Sequence, residues 1–446
     1  MQKVLILTVT AGTGHNAVAN ALKQKLTEQN KIVKVVDIFK EYDEKLKAFL
    51  MDNGYFLIST LMPSIYNMFF YGYANANPNH RYSGMTQDFL KSITPKVLKT
   101  IYSFKRDIIL CSHFYPPIVV TNLKNAFPID AKVVAFITDY VVHPFWESSI
   151  GLDYVVTPSE CLTDNLLYKG FKKKQIKPLG YPILQKFTKH IDKHDALKQL
   201  NLKDDVLTVC VTCGGNGSAK MPDIIKKLLK VKYPLQIIAI NGNNKLSKQK
   251  VDKLAQLEST QKANKTILSY GFTNEIDLIF AASDIMVSKG GCTFINEAMS
   301  KTLPQIFIKN LPAQEQYNAE YLKQNGAGLI ATKEYDVDKI VNTICANPQI
   351  IEDLKQNIIK IRKPNALNDI TNFICSINHK ANYSEPESKI SALKVINKVK
   401  KANNKIKHLS VIPKNEIQTH KTIEKIQKSS KHGKNKIFRS IDKKVI

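Results

Sequence analysis

Two stretches of this chain begin alike: a short apolar run, a glycine-rich turn, then a segment with helical periodicity. The first is residues 4–9 followed by Thr10-Ala-Gly-Thr-Gly-His15; the second is residues 206–211, followed closely by Cys213-Gly-Gly-Asn-Gly-Ser218. Glycine belongs at such a place because the chain must turn from strand to helix within a few residues. After the first start, apolar runs at 32–38, 108–111, 133–138 and 154–156 alternate with helix-like segments at 16–29, 91–102 and 159–170. After the second, the runs fall at 235–240, 266–268, 285–287 and 305–308. Strands alternating with helices form parallel sheets covered on both faces. The expected fold class is α/β, with two Rossmann-like domains facing a cleft.

A chain of 446 residues is long enough to give each domain its own core. Between the two runs, residues 186–205 include KFTKHIDKHD, rich in charge and poor in apolar periodicity, which places the linker there. The expected organisation is a domain over 1–185, a linker over 186–205, a second domain over 206–379 ending in a helix, and a tail over 380–446. The tail holds 18 Lys and Arg against 5 Asp and Glu, about half of the +27 formal charge of the whole chain. Its Lys, Asn and Ser predict disorder, since such residues bury little apolar surface. Positive charge on this scale points to an anionic partner: nucleic acid, a membrane or a phosphorylated substrate. No base-reading module occurs, so no specific nucleic acid is expected.

The 7 cysteines are odd in number and lie mostly inside apolar runs, as reduced thiols do in a reducing compartment. Cys210 and Cys213 form a CxxC without a second pair and read as core. His190 and His194 share a spacing of four but lack the Glu of a zinc protease helix. The N-terminus enters a strand without the parts of a signal peptide, so a cytoplasmic protein is expected. No apolar run reaches the length of a membrane span.

Chemistry concentrates in residues 288–328. Gly290 and Gly291 separate an apolar run from the helix-like segment 293–299, and the free amides of a helix start can face a diphosphate. Glu297, about one turn along, accepts only when ionised and suits two adjacent ribose hydroxyls. The segment Pro312-Ala-Gln-Glu-Gln-Tyr-Asn318 reads as a loop offering Gln314, Glu315 and Asn318 to a sugar. Gly214, Gly215, Asn216 and Gly217 form a second amide-lined edge. Two such edges require no metal cofactor, and no Asp-x-Asp pair is evident.

The order GG, T, NEA, LP, PxQE and N resembles the donor half of GT-B glycosyltransferases of the monogalactosyldiacylglycerol synthase and processive diacylglycerol glucosyltransferase family, which also includes N-acetylglucosamine transferases that form lipid II. The resemblance implies a UDP-sugar donor, UDP-glucose or UDP-galactose, with Thr293 among the donor-binding residues and Phe272 beside the uracil. Lys289 stands where the family has Ser or Pro, and pairs with a donor phosphate in this reading. Ala313 replaces the glycine of a PGQE loop. The N-terminal turn resembles the family's GxGH motif, placing Gly14 and His15 near the acceptor. His15 would accept the proton of an attacking hydroxyl, kept neutral by a helix N-terminus. A dinucleotide site is the alternative, although the third glycine is missing and Ala17 stands there. Three more fragments fit the acceptor half: His113 in CSHFYPP, TDxxxHxxW with Asp139, His143 and Trp146, and Gly180-Tyr-Pro182. Asp139 would orient His15 or act as base, and His143 would contact a phosphate.

Residues 53–80 contain no Lys, Arg, Asp or Glu and carry Tyr55, Phe56, Phe69, Phe70 and Tyr71, a composition suited to the headgroup zone of a bilayer. With the basic tail, this predicts peripheral binding to an anionic membrane surface on its cytoplasmic side. The expected activity is inverting transfer of glucose or galactose to diacylglycerol. The alternatives are transfer of N-acetylglucosamine to a polyprenyl-linked peptidoglycan precursor, and a non-catalytic binder of nucleotide sugar or anionic lipid.

Overall fold

Each glycine-rich segment follows, in sequence, a strand at which the order of a parallel sheet reverses. In a computed structural model that describes residues 1–10, 14–38, 40–41, 84–257, 260, 264–309, 311–382, 394–395, 397–399 and 401–402, the first sheet runs β2-β1-β3-β4-β5-β6. Its strands are β1 (Lys3–Thr8), β2 (Ile32–Asp37), β3 (Ile108–Cys111), β4 (Lys132–Phe136), β5 (Tyr154–Val156) and β6 (Ile176–Lys177). The second runs β12-β11-β10-β7-β8-β9, from β7 (Thr208–Thr212), β8 (Leu235–Ile240), β9 (Lys265–Tyr270), β10 (Ile285–Ser288), β11 (Gln305–Phe307) and β12 (Gly328–Ile330). Every pairing is parallel. β1 and β7 each have sequence neighbours on one side and a later strand on the other, the switch point at which α/β sheets open a crevice. Nearly every residue of both strands is buried, so both faces are covered, which explains their unbroken apolar sequence.

Register does the positioning. Thr212 pairs with Ser288 and Ser288 with Phe307, so β7, β10 and β11 end level and the segments leaving them lie side by side. On the first sheet Leu7 pairs with Cys111 and Cys111 with Ala135, which brings together the segments after β1, β3 and β4. Both sheets belong to one unit, Met1–Ile396. The helix Ala366–Ser376 lies against the first helix, Gly14–Glu28. Gln2 Nε2 donates to the Ile377 carbonyl at 3.0 Å and Gln29 Nε2 to Asn372 Oδ1 at 3.2 Å. Gly180 has φ +106°, and a Cβ there would lie 2.6 Å from Cβ of Ala366, so this crossing depends on glycine.

Two expectations change. Residues 186–205, read as a linker from their charges, carry a helix at Lys193–Gln199 that buries Ala196 and Leu197 and lies against the helix Ile276–Ala282. Asp192 caps it, and Lys186 and Lys193 reach Asp277 and Asp284 at 2.7 and 2.5 Å. A helix this short shows too little periodicity to stand out among so many charges. The segment from Pro312 is not a loop: the helix Ala313–Gln324 starts there, with the Gln316 amide bonded to the Pro312 carbonyl at 2.8 Å. Residues 53–80, with Tyr55, Phe56, Phe69, Phe70 and Tyr71, lie outside the described residues, as does nearly all of the tail from 383 onward.

Candidate active site

The donor side is built from the three segments that leave β7, β10 and β11. Gly214 and Gly217 take φ of +89° and +70°, and the Gly217 amide closes the turn on the Gly214 carbonyl at 2.9 Å. A Cβ on Gly217 would fall 2.0 Å from the Asn241 carbonyl oxygen, whereas Cβ atoms on Gly214 and Gly291 would meet nothing within 4 Å. One glycine thus permits close packing while two others line open space, where a ligand can approach the backbone. Asn216 is exposed beside them, and Gly215 accepts from the Asn243 amide at 3.0 Å. Gly290 lets the second turn touch the Ala313 helix, since a Cβ there would lie 2.0 Å from the Glu315 carbonyl oxygen. Gly291 caps the helix Cys292–Ser300.

Glu297 lies on that helix, 8% exposed, and burial pushes its pKa up to about 8, with Lys186 pulling the other way and Asp277 adding to the rise. The ionised state expected from the sequence is therefore not its resting state at neutral pH. Glu315 is also raised by burial, opposed by Lys289. Lys289 Nζ stands 4.0 Å from Glu315 Oε1, while Glu315 Oε2 is buried with no hydrogen-bond partner, an acceptor suited to a sugar hydroxyl. Lys220 also acts on the Glu315 carboxyl. The sequence reading passed over Lys220, although it directly follows the glycine turn. Phe272 is 63% exposed at the end of β9.

Two expected sugar or donor ligands do other work. Asn318 is wholly buried: its Oδ1 accepts from the Tyr140 amide at 2.7 Å, and its Nδ2 donates to Asp139 Oδ1 and the Gly290 carbonyl, both at 2.8 Å. Its amide is committed to joining the halves, so it is not an open sugar ligand. Thr293 shares a 2.6 Å hydrogen bond with the Tyr181 hydroxyl of the Gly180-Tyr-Pro182 fragment. Tyr140 and Tyr321 stack at 4.0 Å across the same junction.

On the acceptor side, His15, His113, Thr138, Asp139, His143 and Trp146 line one pocket, and Gln314 enters it from the second half. Hydrogen bonding assigns the imidazole tautomers. His15 Nδ1 lies 2.8 Å from the Ser112 carbonyl, which only accepts, so Nδ1 carries the proton and Nε2 is left basic. His113 and His143 are the reverse: their Nδ1 atoms accept from the Tyr115 and Phe145 amides at 3.2 and 3.3 Å, so their protons sit on Nε2. All three rings are neutral at pH 7. Burial lowers His15 to about 4 against the opposing Ser112 bond, takes His113 well below its ordinary value, and with Lys169 brings His143 to about 3. Burial, not the helix N-terminus expected from the sequence, keeps His15 neutral. A neutral His143 that caps the 3-10 helix Pro144–Ser149 and stacks on Phe114 at 4.5 Å is no cationic phosphate ligand. The Ser112 carbonyl, rather than Asp139, orients His15. Asp139 is raised by burial and lowered in part by Asn318. Gly14 faces the second half: a Cβ there would be 2.8 Å from Thr293 Oγ1.

Other sequence candidates fall away from this site. His194 Nδ1 meets Asp204 at 2.8 Å on the surface. Cys210 and Cys213 are buried free thiols, Cys213 pushed up to about 11 by burial, so neither is a thiolate.

Two Rossmann-like halves, one carrying amide-lined turns and the other a pocket with a neutral histidine, define a GT-B glycosyltransferase. Solved structures agree on the fold: MurG of Acinetobacter baumannii aligns with a TM-score of 0.55 at 15% identity over 84% of this chain and all of the other. UDP-GlcNAc 2-epimerase of Neisseria meningitidis, bound to UDP-GlcNAc, aligns at 0.53 and 14% over 84% of this chain and 100% of its own. Residues 15–183 match the family model for monogalactosyldiacylglycerol (MGDG) synthase, and residues 208–371 match that for the glycosyltransferase family 28 C-terminal domain. A processive diacylglycerol beta-glucosyltransferase of Staphylococcus epidermidis is 26% identical over 80% of this chain and 88% of its own. One of Staphylococcus aureus is 27% identical over 84% and 93%. The chain thus carries an MGDG synthase domain followed by a glycosyltransferase family 28 C-terminal domain, and over most of its length it is similar to processive diacylglycerol beta-glucosyltransferases. No helix among the described residues is long and apolar enough to cross a membrane.

Proposed function

We propose that this protein transfers a hexose, glucose or galactose, from its UDP derivative to the hydroxyl of diacylglycerol, with inversion at the anomeric carbon, while bound to the cytoplasmic surface of an anionic membrane. The observation that carries the reading is the pocket joining the halves: basic Nε2 of His15 on one side, Gln314 on the other, with the glycine turns and the Lys289–Glu315 pair leading away from it. His15 Nε2 takes the proton of the acceptor hydroxyl as its oxygen attacks the anomeric carbon and the bond to UDP breaks. The carboxylate form of Asp139, in the same pocket, favours the imidazolium that forms. The departing diphosphate meets the amides of residues 214–216 and 291, with Lys289 and Lys220 supplying positive charge, so the reading calls for no metal. Glu297 holds the ribose hydroxyls and Glu315 a sugar hydroxyl. Phe272 stands by the base.

The test offers the purified protein diacylglycerol liposomes with each radiolabelled UDP-sugar in turn and separates the lipid products. A glycolipid from UDP-glucose or UDP-galactose, strongly reduced in Glu297→Ala at donor concentrations below KM, is the expected result. Product from UDP-N-acetylglucosamine with a polyprenyl diphosphate acceptor alone overturns the acceptor assignment, and UDP binding without product overturns the enzyme reading.

A further inference from the structure

The His15 imidazole is held by hydrogen bonds that close on themselves. Its Nδ1 donates to the Ser112 carbonyl at 2.8 Å, with Thr138 Oγ1 at 3.4 Å from the same nitrogen. The Ser112 hydroxyl donates to Thr8 Oγ1 at 2.8 Å, Thr8 Oγ1 donates to Asn16 Oδ1 at 3.1 Å, and Asn16 follows His15 in the helix Gly14–Glu28. From Asn16 the bonds continue outward: its Nδ2 donates to Thr10 Oγ1 at 2.8 Å, and Thr10 Oγ1 donates to Asp37 Oδ2. Asp37 Oδ1 accepts from the Lys40 amide at 3.1 Å. Register brings these residues together. Thr8 pairs with Asp37 and Leu7 with Cys111, so the adjacent strands β2, β1 and β3 end at one level.

The carboxylate at the far end sets the direction of every bond. It only accepts, so Thr10 gives its one O–H to Asp37 and must accept from Asn16. The Asn16 amide nitrogen therefore faces Thr10 and its oxygen faces Thr8, which donates to it and accepts from Ser112. Thr8 and Ser112 are buried, where a hydroxyl without a partner is costly and a continuous chain of donors stiffens. Thr8 Oγ1 is the shared point, tying Ser112, which holds the imidazole, to Asn16, which fixes the start of its helix.

We propose that Thr8 and Asn16, fixed in turn by Thr10 and Asp37, are positioning residues that hold His15 with Nδ1 on Ser112 and Nε2 toward the acceptor pocket. The inference rests on the reading of His15 as base for its purpose, but the tautomer is read without donor or acceptor.

Thr8→Val removes the shared hydroxyl, Thr8→Ser keeps it, and Asn16→Ala removes both side-chain bonds at a half-buried helix position that suits alanine. Isotopic labelling of the imidazole nitrogens of the 10 histidines lets magnetic resonance report the tautomer of His15, its signals assigned by their loss in His15→Ala. The Nδ1–H form alone is expected in the unaltered protein and in Thr8→Ser, and a mixture of both forms in Thr8→Val and Asn16→Ala. On diacylglycerol liposomes, Thr8→Val and Asn16→Ala are expected to lower kcat about 10–100-fold with donor KM held within about twofold, and Thr8→Ser to keep kcat. Added to His15→Ala, neither substitution lowers kcat further, because the group it positions is gone. The Nδ1–H form alone in both variants, or an equal fold loss of kcat with and without His15, overturns the proposal. Failure of the base reading shows separately, as undiminished kcat in His15→Ala while the tautomer still shifts in both variants.

Discussion

Asn318 Nδ2 donates to Asp139 Oδ1 at 2.8 Å, joining the first turns of a helix in the donor half to a carboxyl in the acceptor pocket. The same side chain holds the Gly290 carbonyl, so one amide connects the glycine turn and the candidate catalytic pocket. Placement of the two halves and the charge state of Asp139 are thereby linked.

Replacing Asn318 by Ala should act through both. It leaves the buried Tyr140 amide and Gly290 carbonyl without their partner, a cost of about 2–3 kcal/mol in unfolding free energy. It also removes the bond that favours the Asp139 carboxylate, so the pKa of Asp139 rises further. An Asp139-dependent acid limb in the pH profile of kcat must then move to higher pH. Chemical denaturation and a kcat profile at saturating donor check the two parts; an unmoved limb would show that Asp139 does not titrate in turnover.

Glu297 gives a pH dependence of opposite sign in stability and in donor binding. Its folded pKa of about 8 lies above the ordinary 4.5. The ligand-free protein therefore keeps the full benefit of the buried neutral carboxyl below about 4.5, and loses stability as pH rises through about 8. UDP affinity should rise over the same interval, because ribose hydroxyls bond best to the ionised form. Glu297→Gln should flatten both curves, and Glu297→Ala should raise KM for the donor by about 10–100-fold. Thermal melts and UDP titrations between pH 6 and about 9 read both.

Lys289 can act on the diphosphate, on Glu315, or on both, and kinetics separate these. Lys289→Met should raise the inhibition constant of UDP and the KM of the UDP-sugar by about tenfold each if the ammonium meets phosphate. If it serves only to keep Glu315 ionised, 4.0 Å away, the UDP-sugar KM rises while UDP inhibition is unchanged. Glu315→Gln distinguishes the cases again, since it spares UDP and weakens only the sugar.

The parts of the site that depend on backbone were legible in the chain. Gly214, Gly217 and Gly290 announce turns because positive φ or close contact excludes side chains there, and strands such as β7 and β10 announce themselves by unbroken apolar sequence. The parts that depend on partners distant in sequence were not. Nothing local to Asn318 shows that Tyr140 and Asp139, nearly two hundred residues earlier, will consume its amide. The helix from Ala313 reads as a loop in the sequence because its first turn is polar apart from Ala313, which packs inward. Strands β6 and β12 contain 2 and 3 residues, too few for a pattern. The neutrality of His15 was expected, but its cause, burial, belongs to the assembled pocket.

The tautomer of His15 makes the sharpest prediction. The Ser112 carbonyl fixes the proton on Nδ1, so Nε2 faces the pocket as a base whose conjugate acid has a pKa of about 4. The acid limb of kcat at saturating donor should therefore lie near 4, and kcat should stay flat through the neutral range where an ordinary histidine titrates. His15→Ala should lower kcat by about 10²–10⁴ with little change in donor KM. His15→Asn, which can still donate to Ser112 but offers no basic nitrogen, should restore stability without restoring kcat. A limb near 6.5, or full recovery of turnover in His15→Asn, would transfer the role of base to another group, with Asp139→Asn as the next variant to measure.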